Sequence, residues 1–346
     1  MVNVLLTGGN GFIASHILDI LVQRQYSVTF TVRGKDKAKH VLARYNGQSV
    51  SNLTAHIIPD FTKPGAFDDC LKTNGPFDAV LHVASPFKYS ITDIDQELFG
   101  PSVTGTQSLL TAIHAHAPSV RTVVFTSSFA AILDSYKSST IPEHTYTTSD
   151  WNPLTKEDAF KNTLNGYRAS KLFAERAAVD FMTKHKPSFS FVSICPTLAF
   201  GPVIQPLESA IALNTSSQRI YNFVNGSCRS EMPDTGVSFY LWIDVRDLAL
   251  AHVKAMELQL DAPANKRYLL TAGYFTNKEI CEIIGKRLPE YLGVLPPCDG
   301  DAGGFPSGGV YKFDNTEATE ELELEYRTLE ESVVDAVRSM QRRGYV

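Results

Sequence analysis

Residues 2–21, VNVLLTGGNGFIASHILDIL, run a strand-length apolar segment through a glycine turn straight into a helical pattern. Gly8, Gly11 and Ala14 stand in a Gly-x-x-Gly-x-x-Ala arrangement, with the first glycine directly after the strand and the second opening the helix. Glycine at such a turn lets backbone approach a ligand closely, and a helix start presents unpaired N–H groups with a partial positive charge. A small third residue lets the helix pack close to its strand. That combination is suited to a diphosphate, and it predicts a dinucleotide-binding α/β fold in which the turn and helix start, Gly8, Asn10, Gly11, Phe12 and Ile13, hold the cofactor.

The rest of the chain fits that beginning. Apolar, β-branched runs at 2–7, 28–32, 56–58, 79–83, 122–126 and 189–194 alternate with helical patterns at 12–23, 35–44, 104–117 and 167–185. Strands buried on both faces and separated by helices predict a Rossmann-like, doubly wound parallel sheet. Beyond Pro196 the rhythm breaks into Gly- and Pro-rich loops and three further helical patterns at 245–258, 277–288 and 329–342. The expected division is residues 1–195, mainly the dinucleotide-binding part, and residues 196–346, mainly a smaller C-terminal substrate-binding lobe. A segment at about 237–258 is expected to return to the first part.

Composition narrows the function classes. A net charge of −5 leaves no basic field for nucleic acid or anionic membrane. The five cysteines are scattered without a C-x-x-C, which reads as free thiols in a reducing compartment. No apolar stretch reaches the ~18 residues of a membrane span, and the expected location is the cytoplasm. The paired His114 and His116 lie two apart in a helical pattern and face different ways, so no metal site is expected. His82 reads as a satisfied interior histidine. Asp244, Arg246 and Asp247 read as helix-start residues that tie the lobes together, and the acidic run EATEELELE as a solvated face.

The end of the second strand selects the cofactor. An acidic residue about 20 residues past the glycine turn ordinarily holds the ribose 2′-hydroxyl of NAD. Here Arg33 occupies that point, with Lys35 and Lys37 close behind. A guanidinium binds a 2′-phosphate that a carboxylate would repel, so NADP(H) is expected over NAD.

Two tyrosines stand four residues before a lysine: Tyr167/Lys171 and Tyr274/Lys278. With 14 tyrosines in the chain, the spacing alone decides nothing. Thr276 or Asn277 looks like a helix N-cap, so Tyr274 and Lys278 straddle a helix start. Tyr167 and Lys171 share one helical face. Free tyrosine, with a pKa of about 10, is a poor acid at neutral pH, and a nearby ammonium brings it down. Ser127 and Ser128 end the strand TVVFTSS at the sheet edge where ligands bind in such folds, placing a hydroxyl to polarise a carbonyl.

Nine segments in order then carry a family resemblance: TGGNGFIASHI, TVRGKDKA, IPDFTKPGAFDD, VLHVASPF, VVFTSSFAAI, DWNP, GYRASKLFAE, CPTLAFGP and WIDVRDLALAHV. The chain resembles an extended short-chain dehydrogenase/reductase, of the subgroup containing dihydroflavonol reductases and yeast NADPH-dependent methylglyoxal and aldehyde/ketone reductases. The resemblance implies an NADPH-dependent carbonyl reductase acting on a small aldehyde or ketone. It implies Ser128 as the catalytic serine with Ser127 nearer the nicotinamide, Tyr167 as proton donor, and Lys171 lowering its pKa while bonding the nicotinamide ribose. It further implies Arg33 and Lys37 at the 2′-phosphate, Asp60 and Phe61 at the adenine, Val83, Ala84 and Ser85 near the diphosphate and ribose, and Pro196 beside the nicotinamide. Phe87, Phe129, Leu133, Leu164 and Leu198 fall at substrate-facing positions of the subgroup, favouring aryl or branched alkyl carbonyls; all five also read as plain core residues. Thr104 stands where many relatives have the asparagine of V-N-G-T, which puts a proton relay there in doubt. A sugar-nucleotide epimerase retaining NAD is disfavoured by Arg33, and a non-catalytic NADP sensor by the retained Tyr167 and Lys171. A monomer or homodimer is expected.

Overall fold

The structure, a computed structural model, describes residues 2–46, 52–85, 91–137, 142–236 and 239–346. Its strands, in chain order, are β1 Asn3–Thr7, β2 Ser27–Val32, β3 Leu53–Ile57, β4 Ala79–His82, β5 Thr122–Thr126 and β6 Thr145–Tyr146. They continue as β7 Ser190–Pro196, β8 Leu198–Phe200, β9 Leu241–Asp244, β10 Lys266–Leu270, β11 Gly273–Tyr274 and β12 Lys312–Phe313. The helices are α1 Phe12–Gln23, α2 Lys35–Ala43, α3 Asp68–Asn74, α4 Gly100–His116, α5 Lys156–Ala159 and α6 Thr163–His185. In the C-terminal part follow α7 Thr215–Val224, α8 Val245–Asp261, α9 Asn277–Arg287, α10 Thr316–Glu321 and α11 Leu329–Arg342.

Seven strands form one parallel sheet in the order β3-β2-β1-β4-β5-β7-β10. Alternation along β1 shows why both faces are covered. Val4 and Leu6 pack with Ile17 and Leu18 of α1 and with Leu248 and Ala251 of α8. Leu5, pointing the other way, joins Leu109 and Ile113 of α4 and Phe181 of α6. The chain winds outward from β1 to β3 and then crosses to β4 on the other side of β1. The crevice between the carboxyl ends of β1 and β4 is therefore a topological switch point, where ligands bind in such sheets.

The C-terminal residues divide their packing. β8, β9 and β11 make a small separate sheet. Phe200 and Trp242 from it, with Phe275 just after β11, cluster with Ile220 of α7, Ile284 of α9 and Val333 and Val337 of α11. Helix α8 packs on α1, and β10 forms the edge of the main sheet beside β7. Residues 237–238 lie outside the described residues.

The acidic run presents its glutamates to solvent, as its sequence suggests, and also has an inward side. Its helix α10 packs on β10, with Ala318, Leu322 and Leu324 buried. Lys266 on that strand donates to Glu317 and Glu321 at 2.9 and 2.6 Å. The run is a packed element whose carboxylates answer a strand lysine, and only its outer side is solvated.

Candidate active site

The glycine turn is shaped by close backbone approach. Gly8 has φ +73°, and a Cβ there would meet Ala84 Cα at 3.1 Å. Its neighbour Gly9 is as constrained, since a Cβ would come within 2.7 Å of the Phe30 ring. Gly11 caps α1 with its N–H bonded to Gly8 O at 2.9 Å. The Thr7 hydroxyl donates to His82 Nδ1 at 2.8 Å and accepts the Val83 and Ala84 N–H groups at 3.1 and 3.0 Å. That hydroxyl locks the two strand ends that frame the crevice. His82 is buried and held neutral, its pKa pushed down to about 3 by burial and by the Lys171 charge.

A cleft of about 1140 Å³ opens from this crevice toward the small sheet. Gly8, Asn10, Gly11, Phe12 and Ile13 line it at one end, with Arg33, Lys37 and Phe61 beside them. Val83, Ala84, Ser85, Ser127, Ser128, Tyr167, Lys171 and Pro196 line its centre, and Leu164 and Leu198 its far part. Arg33 and Lys37 are exposed and make no ion pair among the described residues. These features fit a dinucleotide phosphate: a turn that a Cβ would obstruct, a helix start behind it, and two unengaged cations at the end of β2.

Several sequence candidates lie elsewhere. Asp60 is exposed and off the cleft wall, its carboxylate accepting from Thr62 N and Oγ1 at 3.0 and 2.6 Å. Phe129 and Leu133 are wholly buried in a cluster with Tyr146 and Tyr311, not on the cleft wall, so the structure gives them the core alternative. Phe87 lies outside the described residues. Thr104 is exposed, its hydroxyl donating to Gly100 O of its own helix at 2.8 Å. Ser102 and Thr106 of that helix, rather than Thr104, face the small void beside Lys171.

The central group is organised by α6. Asn162 caps the helix by accepting from Asn165 N at 2.8 Å, a contact worth about 1 kcal/mol. Tyr167, Lys171 and Glu175 then follow at successive i+4 positions on one face. Tyr167 meets the Ser128 hydroxyl. Lys171 Nζ reaches Thr126 O at 3.5 Å. Glu175 lies deepest and accepts from Ser127 Oγ at 2.6 Å, Ser193 Oγ at 2.5 Å and Arg267 Nε at 2.7 Å. Arg267 comes from β10, stacks 3.9 Å over the Trp151 ring, and donates to the Thr148 and Asp150 carbonyls at 2.7 and 2.5 Å. The buried Glu175–Arg267 pair thus anchors Ser127, next to Ser128, from below.

Burial pushes the Tyr167 phenol up, and the Ser128 hydrogen bond pulls it back down. Burial lowers Lys171 itself to about 8, against the opposing pull of Cys195 and Glu175. The ammonium is thus charged at neutral pH but close to losing its proton.

The second tyrosine–lysine pair separates as expected. Tyr274 ends β11, its hydroxyl donating to Tyr311 O at 2.9 Å, and Lys278 lies in the first turn of α9 behind the Thr276 cap. Asp244 caps α8, Arg246 joins it to Asp335 of α11 at 2.7 Å, and Asp247 accepts from Arg327. His116 lies 3.2 Å from Asp68, and among the described residues no His, Cys, Asp and Glu cluster could hold a metal ion. No helix of the described residues is long and apolar enough to cross a membrane.

Residues 4–270 match the model of the NAD dependent epimerase/dehydratase family. The chain belongs to that family. Among family members, it is 39% identical to the ketoreductase azaE of Aspergillus niger, over 97% of each chain. It is 31% identical to the NADPH-dependent methylglyoxal reductase GRE2 of Saccharomyces cerevisiae, over 96% of each. The structure of the yeast methylglyoxal/isovaleraldehyde reductase Gre2 complexed with NADPH superposes with TM-score 0.91 at 30% identity, covering 100% of both chains. Gre2 from Candida albicans, in complex with NADPH, gives 0.88 at 35% identity over 99% of each.

Sequence reasoning missed Glu175, Arg267 and Arg219. A signal existed for the first two: Glu175 continues the Tyr167/Lys171 face at i+8, and Arg267 is a charge directly before the apolar run YLL. Their pairing, 92 residues apart, carries no sequence periodicity.

Proposed function

We propose that this protein is an NADPH-dependent carbonyl reductase, converting an aldehyde or ketone to an alcohol. The observation that carries the reading is the convergence of Ser128, Tyr167 and Lys171 at the centre of a cleft whose one end carries Arg33 and Lys37, without an ion pair among the described residues. NADPH, when bound, supplies the hydride that reduces the carbonyl carbon. The glycine turn and α1 start hold its diphosphate, and Arg33 with Lys37 its 2′-phosphate. Ser128 donates to the substrate oxygen and orients it. Tyr167 gives its phenolic proton to the same oxygen as negative charge develops there. The Lys171 ammonium stabilises the resulting phenolate. Thr126 O and the packed α6 face hold that ammonium in place. The similarity to reductases that use NADPH and the Arg33 strand end both support NADPH over NAD.

The test is NADPH oxidation by the purified protein over aldehydes, aryl ketones, diketones and dihydroflavonols, with chiral analysis of the alcohols. Turnover with NADPH supports the reading. Protein that retains NAD and turns over no carbonyl with NADPH would overturn it in favour of an epimerase or dehydratase.

A further inference from the structure

Among the described residues, the charged side chains lining the cleft are Arg33, Lys37, Lys171, Arg219 and Asp234. The reductase reading uses the first three and leaves Arg219 without a role. It sits half-buried on α7, in the part of the cleft near the small sheet. Its Nη1 donates to Thr235 O at 2.8 Å and to Asn277 Oδ1 at 2.7 Å. Its guanidinium carbon lies 5.7 Å from the centre of the Phe275 ring.

Those two bonds use both hydrogens of Nη1. The Nε–H and the two Nη2 hydrogens, the long edge of the fork, make no hydrogen bond and no ion pair among the described residues. Nη2 lies beside Gly236, 3.6 Å from where a Cβ there would sit, and Arg219 and Gly236 both line the cleft. Only burial acts on the Arg219 charge, lowering its pKa, and no neighbouring carboxylate offsets it. Asp234 is exposed on the same wall and does not reach it. A guanidinium cannot lose its proton in this range, so a half-buried one without counter-charge costs stability. Its open edge matches the two oxygens of a carboxylate.

We propose that Arg219 is the anion-binding residue of the substrate cleft and that the preferred carbonyl compounds carry a carboxylate, held side-on by Nε and Nη2. This inference rests on the reductase reading. It joins an apolar substrate body, facing Leu164, Leu198 and Phe239, to an anionic end.

The experiment is steady-state NADPH oxidation with oxo acids of graded length and with their methyl esters. It is paired with inhibition by saturated carboxylates of matched length that lack the carbonyl. The wild type is expected to prefer acid to ester by about tenfold or more in kcat/KM, chiefly through KM. Arg219→Gln loses that preference, with acids falling far more than esters, and Arg219→Lys, which keeps the charge but not the fork, retains part of it. The saturated carboxylates compete in the wild type and weaken by about tenfold in Arg219→Gln. Equal use of acids and esters by the wild type would overturn the inference, as would a parallel loss of both in Arg219→Gln, the mark of a mere α7–α9 bridge. If that variant does not fold, the wild-type comparison and the inhibition still decide. Ester turnover without acid preference sinks this inference and spares the reductase reading; inactivity toward every carbonyl sinks the reading first.

Discussion

Lys171 stands at the point where the site's pH dependence is set. Its ammonium, lowered by burial to about 8, is charged below that pH and neutral above it. Because the Tyr167 phenol is raised, the proton donor stays protonated over the same window. Carbonyl reduction is therefore expected to hold from pH 6 to 7 and to fall as pH rises through about 8, read as kcat/KM at fixed saturating NADPH. A rate flat to pH 10 would show that the Lys171 charge is not needed. At the other end of the cleft, Arg33 carries the cofactor choice. Charge-assisted hydrogen bonds contribute about 1.5–3 kcal/mol, so Arg33→Ala should lower kcat/KM for NADPH by about 10- to 150-fold and leave NADH nearly unchanged. An equal loss with both cofactors would assign Arg33 to folding instead.

Helix α6 and strand β10 are joined through Glu175 and Arg267, and that joint fixes the strand end bearing Ser127 and Ser128. The Glu175 side chain is fully buried and that of Arg267 only 13% exposed, so removing the carboxylate strands a buried cation. Glu175→Gln is expected to cost about 3–5 kcal/mol in denaturant unfolding, with activity falling in the folded fraction because one amide oxygen replaces the two carboxylate oxygens that serve Ser127, Ser193 and Arg267. A change below 1 kcal/mol would mean that the pair is dispensable. Elements of this kind were legible in the sequence to different depths. β5, α1 and α11 stand where apolar periodicity places them, because each has one clear buried face or an apolar run bounded by turn residues. The acidic run shows its solvated glutamates in the sequence but not its inward side, because Ala318, Leu322 and Leu324 are few among its carboxylates. Phe129 and Leu133 were ambiguous because a pattern that marks burial does not say whether the buried side meets a core or a cleft.

Across the whole molecule, the switch-point crevice is built from the N-terminal part, and the C-terminal residues pack both on the main sheet and around the small one. α8 packs on α1 and β10 joins the main sheet, while α7 and the start of α9 line the far part of the cleft with α11 packed behind them. The switch-point architecture was legible because strand–turn–helix alternation and the glycine turn are local signals. The Arg219 environment was not, since its partners Thr235 and Asn277 lie 16 and 58 residues away. All of the proposed chemistry converges on one phenol between a serine at the end of β5 and a lysine one turn further along α6. The most direct test of that claim is single-turnover and steady-state NADPH oxidation by Tyr167→Phe, with NADPH binding measured separately by fluorescence. The expected result is a loss of about 10²–10⁴-fold in kcat with cofactor affinity within a few-fold of wild type. Carbonyl-dependent NADPH oxidation undiminished in Tyr167→Phe would contradict it.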